Sequence, residues 1–255
     1  MTGSGVADLN ADLGESFGAW RLGDDTALMD IITSANVACG FHAGDPLTLR
    51  RACALAAARG VSIGAQVSYR DLAGFGRREM QVPSDELTAE LLYQISALDG
   101  MARVEGARVR YVKPHGALYN RVVRDPVQAA ALVDAITSYD RTLPLLTLPG
   151  GAAARLAGSA GLTVVGEAFA DRGYNDDGTL VPRGQPGALR TDPAEVSARA
   201  VAMITRNEVR SATGRPVSVQ ARSICIHGDT AGAVALARAV RQALADAGVR
   251  LAPFA

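Results

Sequence analysis

The sequence predicts an α/β fold in which a parallel sheet closes, or nearly closes, into a β/α barrel. Short apolar runs rich in β-branched residues alternate with longer helical patterns along all 255 residues. Each crossover helix returns the chain in the same direction, so a run of such units makes parallel strands. No Gly-x-Gly-x-x-Gly fingerprint follows the first strand, and no linker or composition break divides the chain, so residues 1–255 are expected to form one domain.

Seven strands are expected at 6–11, 34–39, 61–66, 109–113, 143–148, 162–167 and 222–227. Helices are expected at 24–32, 46–59, 83–104, 126–138, 151–159, 192–209 and 230–247. Asp45-Pro46, Asp125-Pro126 and Asp192-Pro193 each place a capping acceptor before a first-turn proline. Gly60 and Gly248 stand just past their helices, where a left-handed residue is wanted. The longest irregular stretch, 168–191, is the length of a functional loop.

Composition excludes several classes. Lys+Arg and Asp+Glu both total 26, so there is no surplus positive charge for sequence-independent nucleic-acid binding or for a polybasic membrane anchor. No apolar run approaches the roughly 18–20 residues of a spanning helix. The first ten residues lack a secretory pattern, so a cytoplasmic location is expected. Three cysteines, Cys39, Cys53 and Cys225, show no CxxC spacing and read as buried thiols.

Two scarce residue types carry most of the functional signal. The chain has three histidines, His42, His115 and His227, and a single lysine, Lys113, among its 26 basic residues. Ligands of parallel α/β proteins bind where the strands end, and all four fall at or just after the ends of proposed strands. With them come Asn10, Asp12 and Glu15 around the first strand, Asn36 and Asp45 around the second, and Ser68, Asp71 and Arg78 after the third. The sixth adds Glu167, Asp171 and Arg172, and the seventh Asp229. Imidazole serves near neutral pH as base, acid or ligand. Asp45 and Asp229 also read as helix caps, and Asn10 and Asn36 as partners for strand-end backbone. Asp12, His42 and a further histidine could hold a divalent metal, though no His-x-His or His-x-x-x-His spacing supports it. A Walker A loop is absent, since the only lysine is followed by proline.

Taken together and in order, DLNADLGESFG (8–18), SANVACGFHAGDP (34–46), DLAGFGRR (71–78), KPHGALYN (113–120), EAFADRGYNDDGTLVPR (167–183) and ICIHGDT (224–230) resemble the LamB/YcsF family over nearly the whole chain. The resemblance implies a distorted seven-stranded parallel β/α barrel, glycoside hydrolase/deacetylase-like in fold. It also implies ATP-dependent opening of 5-oxoproline to L-glutamate, with Mg accompanying the ATP and with separate B and C subunits as partners. One motif departs: Gln66 stands where the family pattern has histidine, and glutamine carries no charge.

For such a reaction the strand-end face offers Lys113 and neighbouring helix N-termini to anionic oxygens, with Arg78 as a second cation. Asp12 or His42 would be the base for water, and His115 or His227 would protonate the leaving nitrogen. Asn10, Glu15, Asn36, Asp45, Ser68, Asp171 and Asp229 are the candidate substrate contacts. Two other classes remain: a metal-dependent hydrolase of the deacetylase type acting on carbohydrate, and a non-catalytic regulatory partner of B- and C-like proteins.

Overall fold

A computed structural model describes residues 5–230 and 232–255. Its strands are β1 (Val6–Leu13), β2 (Ser34–Ala38), β3 (Ser62–Val67), β4 (Val109–Pro114), β5 (Leu145–Thr147), β6 (Val164–Phe169), β7 (Glu208–Arg210), β8 (Pro216–Ser218), β9 (Ser223–Ile226) and β10 (Arg250–Leu251). The helices are α1 (Asp25–Met29), α2 (Pro46–Arg59), α3 (Ser84–Val104), α4 (Gly116–Arg124), α5 (Pro126–Tyr139), α6 (Ala152–Ser159), α7 (Pro193–Thr205) and α8 (Ala233–Asp246).

Seven parallel strands close in the order β1-β2-β3-β4-β5-β6-β9, with β9 returning to β1. The distortion lies at two seams. On one edge of β1, Val6 and Ala7 pair with β10, and Asp8 to Ala11 then pair with β9. Between β4 and β5 only Val112 and Leu145 are in register.

The side-chain period of two explains how this barrel is filled. Along β1, Leu9, Ala11 and Leu13 face the helices and join the apolar core, while Asp8, Asn10 and Asp12 alternate with them. The same alternation sets Ser34 and Asn36, Gln66, Tyr111 and Lys113, Glu167, and Ser223 and Cys225 apart from their apolar neighbours. The inward set is polar and mutually bonded. Ser34 and Ser223 donate to Asp8, Asn10 donates to Ser223 at 2.6 Å, and Asn36 donates to Asn10 at 2.7 Å. Tyr111, Leu146, Val165 and Phe254 form a separate apolar cluster beneath it.

The expected helix caps are present. Asp45, Asp125 and Asp192 accept from backbone N–H groups in the first turns of α2, α5 and α7. Among the described residues Asp229 is not the cap of α8, whose N-cap is Gly232 with no side-chain cap hydrogen bond. The helix expected over 192–209 stops at Thr205, and Asn207 turns the chain with φ of 52° into the β7–β8 hairpin. Helix α4, the hairpin and β10 have no counterpart among the expected elements. Among the described residues no helix is long and apolar enough to cross a membrane.

Candidate active site

Asp12, Lys113, His115 and His227 line one cavity of about 510 Å³ at the carboxyl ends of the strands. Asp12, expected just past the first strand, lies within β1, and Lys113 lies within β4 as expected; both reach the cavity from the barrel interior. His115 and His227 follow β4 and β9 directly.

Lys113 is 2% exposed. Its Nζ lies 2.9 Å from Asp12 Oδ1, 2.8 Å from Glu167 Oε1 and 3.1 Å from Cys225 Sγ. Burial disfavours the ammonium, but Asp12 foremost among its neighbours pushes its pKa well above the usual lysine value. Burial likewise disfavours the Asp12 carboxylate, and Lys113 more than offsets this, so Asp12 titrates below the ordinary range. Both charges therefore persist at neutral pH. Asn36 also donates to Asp12 Oδ1 at 2.9 Å, which turns Asp12 Oδ2 toward His115, 3.9 Å away.

His227 is held by a carboxylate. Its Nδ1 lies 2.9 Å from Asp171 Oδ2, and its backbone N–H donates to the same carboxylate at 3.1 Å. Burial raises the Asp171 pKa, but His227 and its hydrogen bonds bring it below the ordinary value. An ionised acceptor fixes the proton on Nδ1 and leaves Nε2 with its lone pair. Phe169 stacks on the imidazole, with centroids 5.4 Å apart.

His115 is turned the other way. Its Nε2 lies 3.0 Å from the Phe75 carbonyl, so Nε2 carries the proton and Nδ1 faces Glu15 Oε1 at 3.8 Å. Burial drops its pKa to about 3, so the ring is neutral. Glu15 is driven the opposite way: burial first, then Asp12 and Asp229, raise it well above the normal glutamate value. Its Oε1 has no hydrogen-bond partner. A carboxyl shifted toward its protonated form beside a neutral imidazole can act chemically as a proton donor.

His42 stacks on His115 at a centroid distance of 4.0 Å and is fully buried. Its Nε2 lies 3.3 Å from Gln66 Oε1, and burial lowers its pKa strongly. His42 is therefore a supporting ring behind His115, outside the cavity lining. Asn10 and Asn36 lie deeper, in the interior network.

Three candidate contacts sit elsewhere. Asp45 accepts from Thr48 and Gly18 N–H groups, at 2.9 Å and 2.7 Å. Ser68 is buried, its backbone clamped by the Gln94 amide. The Arg78 side chain is 67% exposed and is spent on Asp71. None of these three lines the cavity.

Two triads bring possible metal ligands within 4.8 Å of one another, Asp12–Cys225–His227 and Glu15–His42–His115, so Asp12 and His42 fall in different groups. Neither fits an ion. In the first, the Lys113 ammonium already engages Asp12 Oδ1 and Cys225 Sγ, and burial pushes the Cys225 thiol pKa far up. In the second, the two imidazoles are 16° from parallel and stacked face to face. One ion cannot lie in both ring planes, where nitrogen lone pairs point.

Sequence reasoning passes over the role of Glu167 and Cys225 beside Lys113, and of Arg77 and Arg183 on the cavity wall. Strict alternation along β6 and β9 would have pointed Glu167 and Cys225 inward. Arg172 and Arg183 belong to the long 168–191 segment. That segment is pinned to itself by bridges pairing Arg172 with Leu189 and Tyr174 with Leu180.

Among curated proteins, the chain is 61% identical to the 5-oxoprolinase A subunit of Streptomyces avermitilis over 250 residues, covering 98% of this chain and 100% of the relative. It is 54% identical to the protein of the same name from Mycobacterium avium, covering 97% of this chain and 98% of the relative. Among solved structures, the lactam utilization protein from Thermus thermophilus superimposes with a TM-score of 0.92 at 45% identity, covering 98% of this chain and 100% of that one. A family 4 carbohydrate esterase from Streptomyces lividans, 14% identical with a TM-score of 0.54 over 98% of this chain and 93% of that one, shares the barrel fold alone. The LamB/YcsF family profile matches residues 7–255, and the chain belongs to that family.

Proposed function

We propose that this chain is the ring-opening subunit of an ATP-dependent 5-oxoprolinase, working with B and C subunits. The names of its relatives point to that reaction. The observation that supports it most directly is His227, aimed by Asp171 at a cavity that His115 also lines, with Glu15 buried behind His115.

Opening the lactam forms a bond from a water oxygen to the ring carbonyl carbon, breaks the carbon–nitrogen bond and delivers a proton to nitrogen. The terminal phosphoryl group of ATP, accompanied by Mg, passes to the carbonyl oxygen and releases ADP, and once the ring has opened a second water splits the resulting acyl phosphate into the side-chain carboxylate and free phosphate. His227 Nε2 removes the proton from water, with Asp171 stabilising the imidazolium that results. Glu15, whose carboxyl burial and the neighbouring Asp12 carboxylate shift toward the protonated form, is the proton source for nitrogen, with His115 Nδ1 3.8 Å from it. Lys113, fixed by Asp12 and Glu167, holds positive charge beneath the carbonyl oxygen where negative charge develops. This assignment moves the base from His42, which Gln66 and His115 enclose, to His227.

The test is glutamate formation from 5-oxoproline and Mg-ATP, with the chain alone and with B and C partners from one source. Product is expected only in the complete mixture. No product, with partners proven competent beside a homologous ring-opening chain, overturns the reading. In the complete mixture Asp171→Asn is expected to lower kcat by roughly 10²–10⁴-fold with the melting temperature nearly unchanged.

A further inference from the structure

Three guanidiniums on one wall of the cavity are not accounted for by ring opening. Arg77 comes from the loop after β3, and Arg172 and Arg183 come from the 168–191 segment. One carboxylate lies among them: Asp229 Oδ2 is 2.5 Å from Arg77 Nη2, and Asp229 Oδ1 is 3.9 Å from Arg183 Nη2. Asp177 is also in the lining, so the three guanidiniums still outnumber the carboxylates on this wall. Arg124, also in the lining, is paired with Glu79 and stands apart.

Arg172 is the most telling of the three. It is 4% exposed, and among the described residues no carboxylate comes within ion-pair distance of it. Its Nε donates to the Ala188 carbonyl at 3.0 Å and its Nη2 to the Val181 carbonyl at 2.7 Å. Among the described residues Nη1 has no hydrogen-bond partner, and the side chain lines the cavity. Burial, and then the charge of Arg183, hold its pKa down to about 10, so it is still charged in neutral water. A nearly buried, unpaired cation is costly to keep unless an anion arrives to meet it.

We propose that Arg77, Arg172 and Arg183 form a phosphoryl-anion subsite in this cavity. A planar guanidinium fork with a fixed orientation matches phosphate oxygens, and the surplus of positive charge on this wall suits a phosphoryl anion. Arg172 follows Asp171, and Asp229 lies two residues beyond His227, so the bound phosphoryl group sits beside the base. The inference rests on the ATP-dependent reading above and deepens it. It gives this chain a place for the phosphate that activates the lactam, whether that phosphate arrives on a small substrate or on the nucleotide.

The test titrates inorganic phosphate into the intact chain by calorimetry. Arg77→Met and Arg183→Met are preferred, because Arg172 also holds two loop carbonyls in place. Each is expected to weaken phosphate binding by about tenfold or more with unchanged circular dichroism and melting, while Arg124→Met binds like the parent. Phosphate that binds parent and variants alike, or does not saturate, overturns the subsite. ATP binding far more tightly than tripolyphosphate assigns the subsite to the nucleotide, and equal affinities assign it to a phosphorylated small substrate. Either result supports it.

With B and C present, phosphate is expected to inhibit glutamate formation, and that inhibition should weaken in Arg183→Met. Normal glutamate formation with neither phosphate binding nor inhibition removes the subsite and leaves the reaction standing. Phosphate binding without glutamate formation does the reverse.

Discussion

Lys113 is enclosed by Asn10, Asp12, Glu167 and Cys225, and that enclosure decides what can replace it. Lys113→Met leaves two buried carboxylates uncompensated and is expected to cost about 3–5 kcal/mol in urea unfolding. Lys113→Arg forces a larger planar group into the same space and should also destabilise, by about 1–3 kcal/mol. Its lost activity would then report on packing as well as chemistry. The sign of the pH effect follows from the directions of the shifts. The contribution of Asp12, whose pKa is lowered, is present above the ordinary carboxylate value and is lost as pH falls. That of Lys113, whose pKa is raised, is lost only in strong alkali. Asp25 works the other way. Burial raises its pKa from 3.8 to about 6, so the unfolded chain ionises first and stability falls as pH rises from about 4 to 6. Asp25 is partly exposed, so the loss is about 2 kcal/mol at most. Asp25→Asn still accepts from the Gly14 N–H and should abolish that step in unfolding measured at several pH values.

At the level of elements, the long strands and capped helices were legible because each carries a local signal: alternation, an Asp-Pro start, a glycine stop. Helix α4 carries none. His115 precedes it without a side-chain cap, and Gly116 has φ of 58°, which in sequence reads as a turn. What fixes α4 is distant in the chain. The Ala117 N–H donates to the Gly76 carbonyl at 2.8 Å, and a Cβ on Gly116 would collide with that oxygen. Gly116→Ala therefore meets both an unfavourable left-handed backbone and a backbone clash. It should cost more than about 2 kcal/mol and displace His115, seen as a lower urea midpoint together with lost turnover. The β7–β8 hairpin escaped notice because its strands are three residues each, too short for a period of two to show.

For the whole molecule, the scarce residues singled out in the sequence gather at the carboxyl end of the barrel. Asp12, read as following its strand, and Lys113, read at the end of its strand, both belong to a polar column inside the barrel. Composition cannot separate a side chain that faces a barrel interior from one that faces a loop, because both are polar positions beside apolar ones. The arginines of the cavity wall were hidden for another reason. A chain with so much arginine spends most of it on the surface, and only tertiary placement tells Arg172 from Arg206.

The seam at β1 also bears on how the chain is made. β1 ends at Leu13, but its partners on one edge begin at Ser223 and Arg250. At roughly 5–20 residues per second of synthesis, that edge waits on the order of 10–40 s for its neighbours. Until then it offers unpaired backbone and a row of ionisable groups with no counter-ions in place. A nascent chain released before Ser223 is expected to partition into the insoluble fraction, whereas the complete chain stays in the supernatant. The protein's vulnerable interval would thus be its own translation, because the residues that shield one edge of its first strand are added long after it.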